Sequence, residues 1–154
     1  MRSHVGAMSR RDIMSIAAFG ACALVVGVGE ASATPEFVAA EMKKLYGDKK
    51  ATPGKVKLDV PSIAENGLVV PLNFEVESPM TEKDYVKSVT VFADGNPLPV
   101  IAAFHFNPMS PKAAASIRMR LAKTQNITAV AEMSNGALFS ATKEVKVTIG
   151  GCGG

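Results

Sequence analysis

From Val56 onward, apolar side chains return at every second residue. Val56, Leu58 and Val60 alternate with Lys55, Lys57 and Asp59, and Val70, Leu72, Phe74 and Val76 alternate with Pro71, Asn73, Glu75 and Glu77. Only an extended chain puts residues i and i+2 on one side, so each run reads as a strand with one buried and one wet face. Glu65-Asn66-Gly67 reads as the turn between them, because Asn and Gly tolerate positive φ. Pro61 and Pro71 mark strand ends or edges, since proline cannot donate to a ladder.

The pattern continues to the end of the chain. After Ser78-Pro79-Met80 breaks it, Val86–Ala93 reads as a strand closed by Asp94-Gly95-Asn96-Pro97. Residues 101–106 form a short apolar strand. Residues 116–122 alternate Ile117, Met119 and Leu121 against Arg118 and Arg120. Residues 126–133 and 137–149 flank Ser134-Asn135-Gly136, a strong hairpin signal. Val145, Val147 and Ile149 are expected inward, with Glu144, Lys146 and Thr148 outward. About seven short strands with frequent turns predict a mainly β fold, an immunoglobulin-like antiparallel β-sandwich. There is no Trp, so the Cys–Trp–Cys core of antibody domains is absent.

Ahead of the strands the period is helical. Thr34 suits an N-cap and Pro35 a first helical residue, and Gly47 supplies a stop. A short N-terminal helix of about twelve residues is marginal alone and must dock on the body or on a partner; Phe37, Ala40, Met42 and Leu45 come near one face, though imperfectly, and are the expected docking row.

Residues 1–33 read as a cleaved export signal. Arg2, Arg10 and Arg11 make a basic start, residues 13–29 an apolar run, and Ala31-Ser32-Ala33 a small-residue cleavage site. Ser9-Arg10-Arg11-Asp12-Ile13-Met14 resembles the twin-arginine signature, which serves proteins exported already folded. Either Met1 or Met8 can be the start. The apolar run is short for a bilayer span of ~20 residues, and no second long one follows, so no membrane span is expected in the mature chain. Phe19-Gly20-Ala21 fits poorly as a lipoprotein site before Cys22. Cleavage after Ala33 leaves residues 34–149 as one domain and 150–154 as a tail, in an extracytoplasmic, periplasmic setting. The chain's formal net charge is only +3, without a basic stripe interleaved with aromatics, which argues against nucleic acid as a partner.

The tail is Gly150-Gly151-Cys152-Gly153-Gly154, and after cleavage Cys152 is the only thiol. An odd cysteine in an exported protein points to intermolecular pairing, such as a Cys152-linked disulfide dimer, or to a reactive thiol. Glycine gives the backbone freedom, so the tail reads as a thin, flexible arm reaching about 10 Å beyond Ile149 at ~3.3–3.6 Å per residue. An isolated thiol has a pKa of about 8.5, and no Lys, Arg or His adjoins Cys152 to lower it. The terminal carboxylate, if anything, opposes a second negative charge. Cys152 therefore reads as a handle activated within partner enzymes, not as a catalytic residue.

Nothing else in the sequence competes with it. His105, between Phe104 and Phe106, points away from their face and has no second ligand spaced for a metal. Glu75 and Glu77 share a strand face and read as solvated charges; Lys43, Lys44, Lys49 and Lys50 read as surface. Asp94-Gly95-Asn96 is first of all a turn. There is no nucleophile–base pair, phosphate loop or haem motif, and no cofactor is expected.

Several segments together resemble the SoxY family of sulfur carriers in the periplasmic thiosulfate-oxidation pathway. They are Ile63-Ala64-Glu65-Asn66-Gly67, Ser78-Pro79-Met80, Val89-Thr90-Val91-Phe92-Ala93-Asp94-Gly95-Asn96-Pro97, Arg120-Leu121-Ala122-Lys123-Thr124-Gln125-Asn126 and the ending from Val145 through Cys152 to Gly154. The resemblance implies an immunoglobulin-like sandwich paired as a heterodimer with SoxZ, and sulfur intermediates (thiosulfonate, then sulfane sulfur) held on Cys152. It implies loading by the haem enzyme SoxXA, sulfate release by SoxB and, in some organisms, further oxidation by SoxCD. It also accounts for a folded-cargo route, if SoxZ travels with the folded chain.

Overall fold

The computed structural model describes residues 34–151, as one helix and nine strands. The expected signal, Cys22, Cys152, Gly153 and Gly154 lie outside the described residues. Helix α1 (Pro35–Tyr46) begins at Thr34, whose backbone is extended and whose carbonyl accepts from Val38 N at 3.1 Å. It ends where Gly47, at φ 68°, turns its N–H back to Lys43 O.

The strands are β1 (Thr52–Pro53), β2 (Val56–Asp59), β3 (Ile63–Asn66), β4 (Val70–Val76), β5 (Val86–Ala93), β6 (Val100–His105), β7 (Ala113–Met119), β8 (Gln125–Met133) and β9 (Leu138–Ile149). They form two sheets, in the orders β1-β9-β8-β5-β6 and β2-β4-β7. The small sheet turns Val56, Leu58, Val70, Leu72, Phe74, Val76 and Met119 inward. The large sheet meets them with Val89, Val91, Ile127, Ala129, Ala131 and Met133. Phe74 and Phe104 stack edge-on across the gap at 5.1 Å between centroids. The result is the expected immunoglobulin-like sandwich.

The pleat explains why β5 is buried on both sides. Val89 and Val91 face the sandwich, while Thr90 and Phe92 face outward beneath α1. Phe92, Val130, Leu138 and Tyr46 form a second apolar cluster there, with Val38 and Met42 packed against it. Tyr46 donates its phenol proton to Thr90 Oγ1 at 2.9 Å, which fixes the end of the helix on the sheet.

The docking row of α1 differs from the expected one. Val38, Met42 and Tyr46, spaced by four, face the sheet, while Phe37 and Leu45 are 58% and 54% exposed and Ala40 is exposed. The phenol's bond to Thr90 and its ring in the cluster orient the helix, and apolar periodicity alone registers neither. The strand expected over 116–122 runs Ala113–Met119, in register with β4 from Val76↔Ala113 to Val70↔Met119. The hairpin formed as expected, with Gly136 at φ 82°.

The sheet is also not wholly antiparallel. The free edge of the long β9 is covered twice by parallel pairing, with β1 at Phe139 and Ser140 and with β3 at Lys146, Val147 and Ile149. These account for the two strands beyond the seven expected. Ile149, expected inward, is 66% exposed, because the sandwich ends before it does. Among the described residues no helix is long and apolar enough to cross a membrane.

Candidate functional site

The tail leaves the body where β9 ends beside β3. Asn66 pairs with Ile149, and the chain then turns, with Asn66 Oδ1 accepting from Leu68 N at 2.8 Å. Gly67 sits at this turn and joins three segments. Its N–H donates to Ile149 O at 2.7 Å, and its carbonyl accepts from Leu121 N at 2.8 Å. Leu121 O in turn accepts from Gly151 N at 2.8 Å. The root of the tail thus runs between the Gly67 turn and the Leu121-Ala122 backbone.

The glycines here are required by closeness. A Cβ on Gly67 would lie 2.2 Å from Leu121 O and 2.7 Å from Gly151 N. One on Gly150 would lie 2.2 Å from Ala122 O, and one on Gly151 would lie 2.3 Å from both C and O of Gly67. All are far inside van der Waals contact with backbone that cannot swing aside. Gly150 and Gly151, expected to be part of a free arm, are held on the body. The reach of about 10 Å counted from Ile149 therefore starts too early: the backbone is fixed as far as Gly151, the residue bonded to Cys152.

A buried polar network holds the surface on which the root rests. Leu121 is fully buried, and Asn96 and Gln125 are buried beside it. Asn96 Nδ2 donates to Arg120 O at 2.8 Å, and Asn96 Oδ1 accepts from Ala122 N at 3.0 Å and from Gln125 Nε2 at 2.9 Å. Gln125 Nε2 also donates to Lys123 O, and Gln125 Oε1 accepts from Gly95 N at 2.8 Å. Asp94 accepts from both N and Nδ2 of Asn126. Asp94-Gly95-Asn96 is thus a turn, as expected, but one whose third residue pins residues 120–122. Thr124 Oγ1 accepts from Val147 N at 3.0 Å and ties the same loop to the end of β9.

The remaining candidates lie elsewhere. His105 is exposed on the face opposite Phe104 and Phe106. Glu77 pairs with Lys57 at 3.1 Å and Glu75 with Lys112 at 3.6 Å, both at the surface. Lys43 pairs with Asp48, Lys44 with Glu41, and Lys49 and Lys50 are exposed. A shallow cleft of about 440 Å³ lies on the outer face of the small sheet. There Ser116 donates to Asn73 Oδ1 and Asn73 Nδ2 to Asp59. Among the described residues no three His, Cys, Asp or Glu side chains converge as metal ligands.

Residues 42–152 match the family described as "Sulfur oxidation protein SoxY", a stretch that runs through Cys152. The chain belongs to the SoxY family. The sulfur carrier protein SoxY from Chlorobium limicola f thiosulfatophilum has a similar structure, 31% identical, with a TM-score of 0.62 over 73% of this chain and 96% of that one. The superoxide reductase (neelaredoxin) of Ignicoccus hospitalis shares the fold at 17% identity and a TM-score of 0.55, over 79% of this chain and 98% of that one. A putative superoxide reductase of Thermotoga maritima does so at 15% identity and 0.51, over 69% and 89%. No curated protein sequence matches the chain.

The segments that carry the resemblance are largely the ones that meet at the root of the tail. Asn66-Gly67 forms the turn, Asp94 to Asn96 and Arg120 to Gln125 form the network, and Gly150-Gly151 rests on both. Ser78-Pro79-Met80 does not join them. It is a local turn, with Met80 at φ 50° and its N–H directed to Ser78 Oγ.

Proposed function

We propose that this protein is a non-enzymatic covalent carrier in thiosulfate oxidation, with the sulfur intermediate held on Cys152. The carrying observation is the family match, which extends through Cys152 at the end of a backbone fixed as far as Gly151. In loading, the thiolate sulfur of Cys152 bonds to the terminal sulfur of thiosulfate. The thiosulfonate R–S–S–SO₃⁻ forms and two electrons pass to the haem of a partner enzyme, SoxXA. Hydrolysis by SoxB then breaks the S–SO₃ bond, with water supplying the fourth oxygen of sulfate. Sulfane sulfur is left on Cys152 as a persulfide, and two protons are released. SoxCD oxidises that sulfur where it is present. No Lys, Arg or His adjoins Cys152 in the sequence, so we assign activation of the thiol to the partner.

SoxZ is the proposed heterodimer subunit. The twin-arginine-type signal delivers the folded protein to the periplasm, where thiosulfate and the haem partner meet it. Reconstitution tests the reading: purified protein, thiosulfate and the haem partner should yield a reducible adduct on the wild type and none on Cys152→Ser. If the wild type forms only a disulfide dimer and no thiosulfate adduct, Cys152 is a subunit link and the carrier role is lost.

A further inference from the structure

We propose that Gly67 is a positioning residue for Cys152, the gauge that admits the root of the arm to a fixed slot. The inference rests on the carrier reading above and adds to it where the arm pivots. Gly67 touches both neighbours of the root: its N–H holds Ile149 O and its carbonyl holds Leu121 N, whose own carbonyl holds Gly151 N. Any side chain at position 67 would enter the space of Leu121 O and Gly151 N, at 2.2 and 2.7 Å. The opposite wall of the slot is equally fixed, because Asn96 holds Arg120 O and Ala122 N from a buried position.

The consequence for presentation is geometric. With Gly151 held, the Cα of Cys152 lies about 3.8 Å from the last fixed Cα. With the root released as far as Ile149, three residues swing freely and the radius rises to about 10 Å. The volume searched by the Cys152 Cα grows roughly twentyfold; the side chain lengthens both radii, so the thiol's effective concentration at a docked partner's site falls roughly tenfold. Gly150 and Gly151 therefore shorten the arm by lying flat on the body.

Amide exchange and loading kinetics on the full chain test this. The Gly151 amide should exchange at least about tenfold more slowly than in an unstructured peptide, and Gly67→Ala should abolish that protection. Gly151→Ala, which presses on Gly67 from the other side and leaves the sandwich core untouched, should do the same if Gly67→Ala fails to fold. In either variant, kcat/KM for thiosulfate loading by the haem partner should fall roughly tenfold, while reaction of Cys152 with a small aromatic disulfide stays within about twofold. Fast Gly151 exchange in the wild type would overturn the slot. So would unchanged loading in a variant whose Gly151 amide has become unprotected. If wild-type Cys152 is never loaded, the carrier reading fails, and amide exchange still decides the slot.

Discussion

Replacing Asn96 by alanine should cost far more than a turn residue normally does. Its amide makes three hydrogen bonds, to Arg120 O, Ala122 N and Gln125 Nε2, all at 2.8–3.0 Å. Alanine leaves those three groups without that partner. Each buried group so stranded costs about 1–3 kcal/mol, but Arg120 O can turn to water and Gln125 Nε2 keeps Lys123 O. We therefore expect about 3 kcal/mol, set mainly by Ala122 N–H and the emptied side-chain volume. For a domain of this size that is a fall in Tm of roughly 12 °C. The assay is urea unfolding with thermal melting, alongside exchange at Gly151. Loss of the wall should unprotect that amide even at temperatures where the sandwich remains folded. A cost below about 1 kcal/mol, with Gly151 still protected, would show that Asn96 does not hold the root of the arm.

Two further outcomes concern the helix. Burial beneath α1 is the main reason the Tyr46 phenol is held above its usual 10.0, only partly offset by its bond to Thr90. A raised folded-state value means stability that is complete below pH 10 and lost as pH climbs through the folded-state pKa. Melting between pH 9 and 12 should show an alkaline loss that Tyr46→Phe removes, and an identical loss in both proteins would rule Tyr46 out as its source. Met42→Ala should cost about 1–2 kcal/mol, whereas Leu45→Ser should stay within about 0.5 kcal/mol, by chemical denaturation. The reverse order would restore the docking face that the apolar count suggests.

The sandwich was legible because period-two alternation is enforced by the pleat: Val70, Leu72, Phe74 and Val76 are all buried as the pattern requires. β3 escaped notice because only Ala64 of its four residues is buried, so it has no alternation to show, and its partner is a distant segment paired in parallel. The helix face is hidden for a similar reason, and of the expected row only Met42 packs on the sheet. An amphipathic tyrosine can anchor a helix through one hydroxyl, which hydrophobic counting does not weigh. At the root of the arm, Gly150 and Gly151 read as freedom when taken alone. Only the approach of Ala122 to Gly150, 28 residues back in the chain, and of Gly67 to Gly151, 84 residues back, shows that they are glycines because backbone lies where a Cβ would be. Asn96 and Gln125 were visible as turn and loop residues, but their role depends on each other's position and on no local pattern.

The proposed function rests on Cys152 carrying oxidised sulfur. Its most direct test is the intact mass of the protein isolated from cells actively oxidising thiosulfate, measured before and after reduction. A carrier should show adducts of thiosulfonate and sulfane sulfur that reduction removes and that Cys152→Ser never shows. Wild-type protein found wholly unmodified in such cells, or adducts that persist in Cys152→Ser, would contradict it.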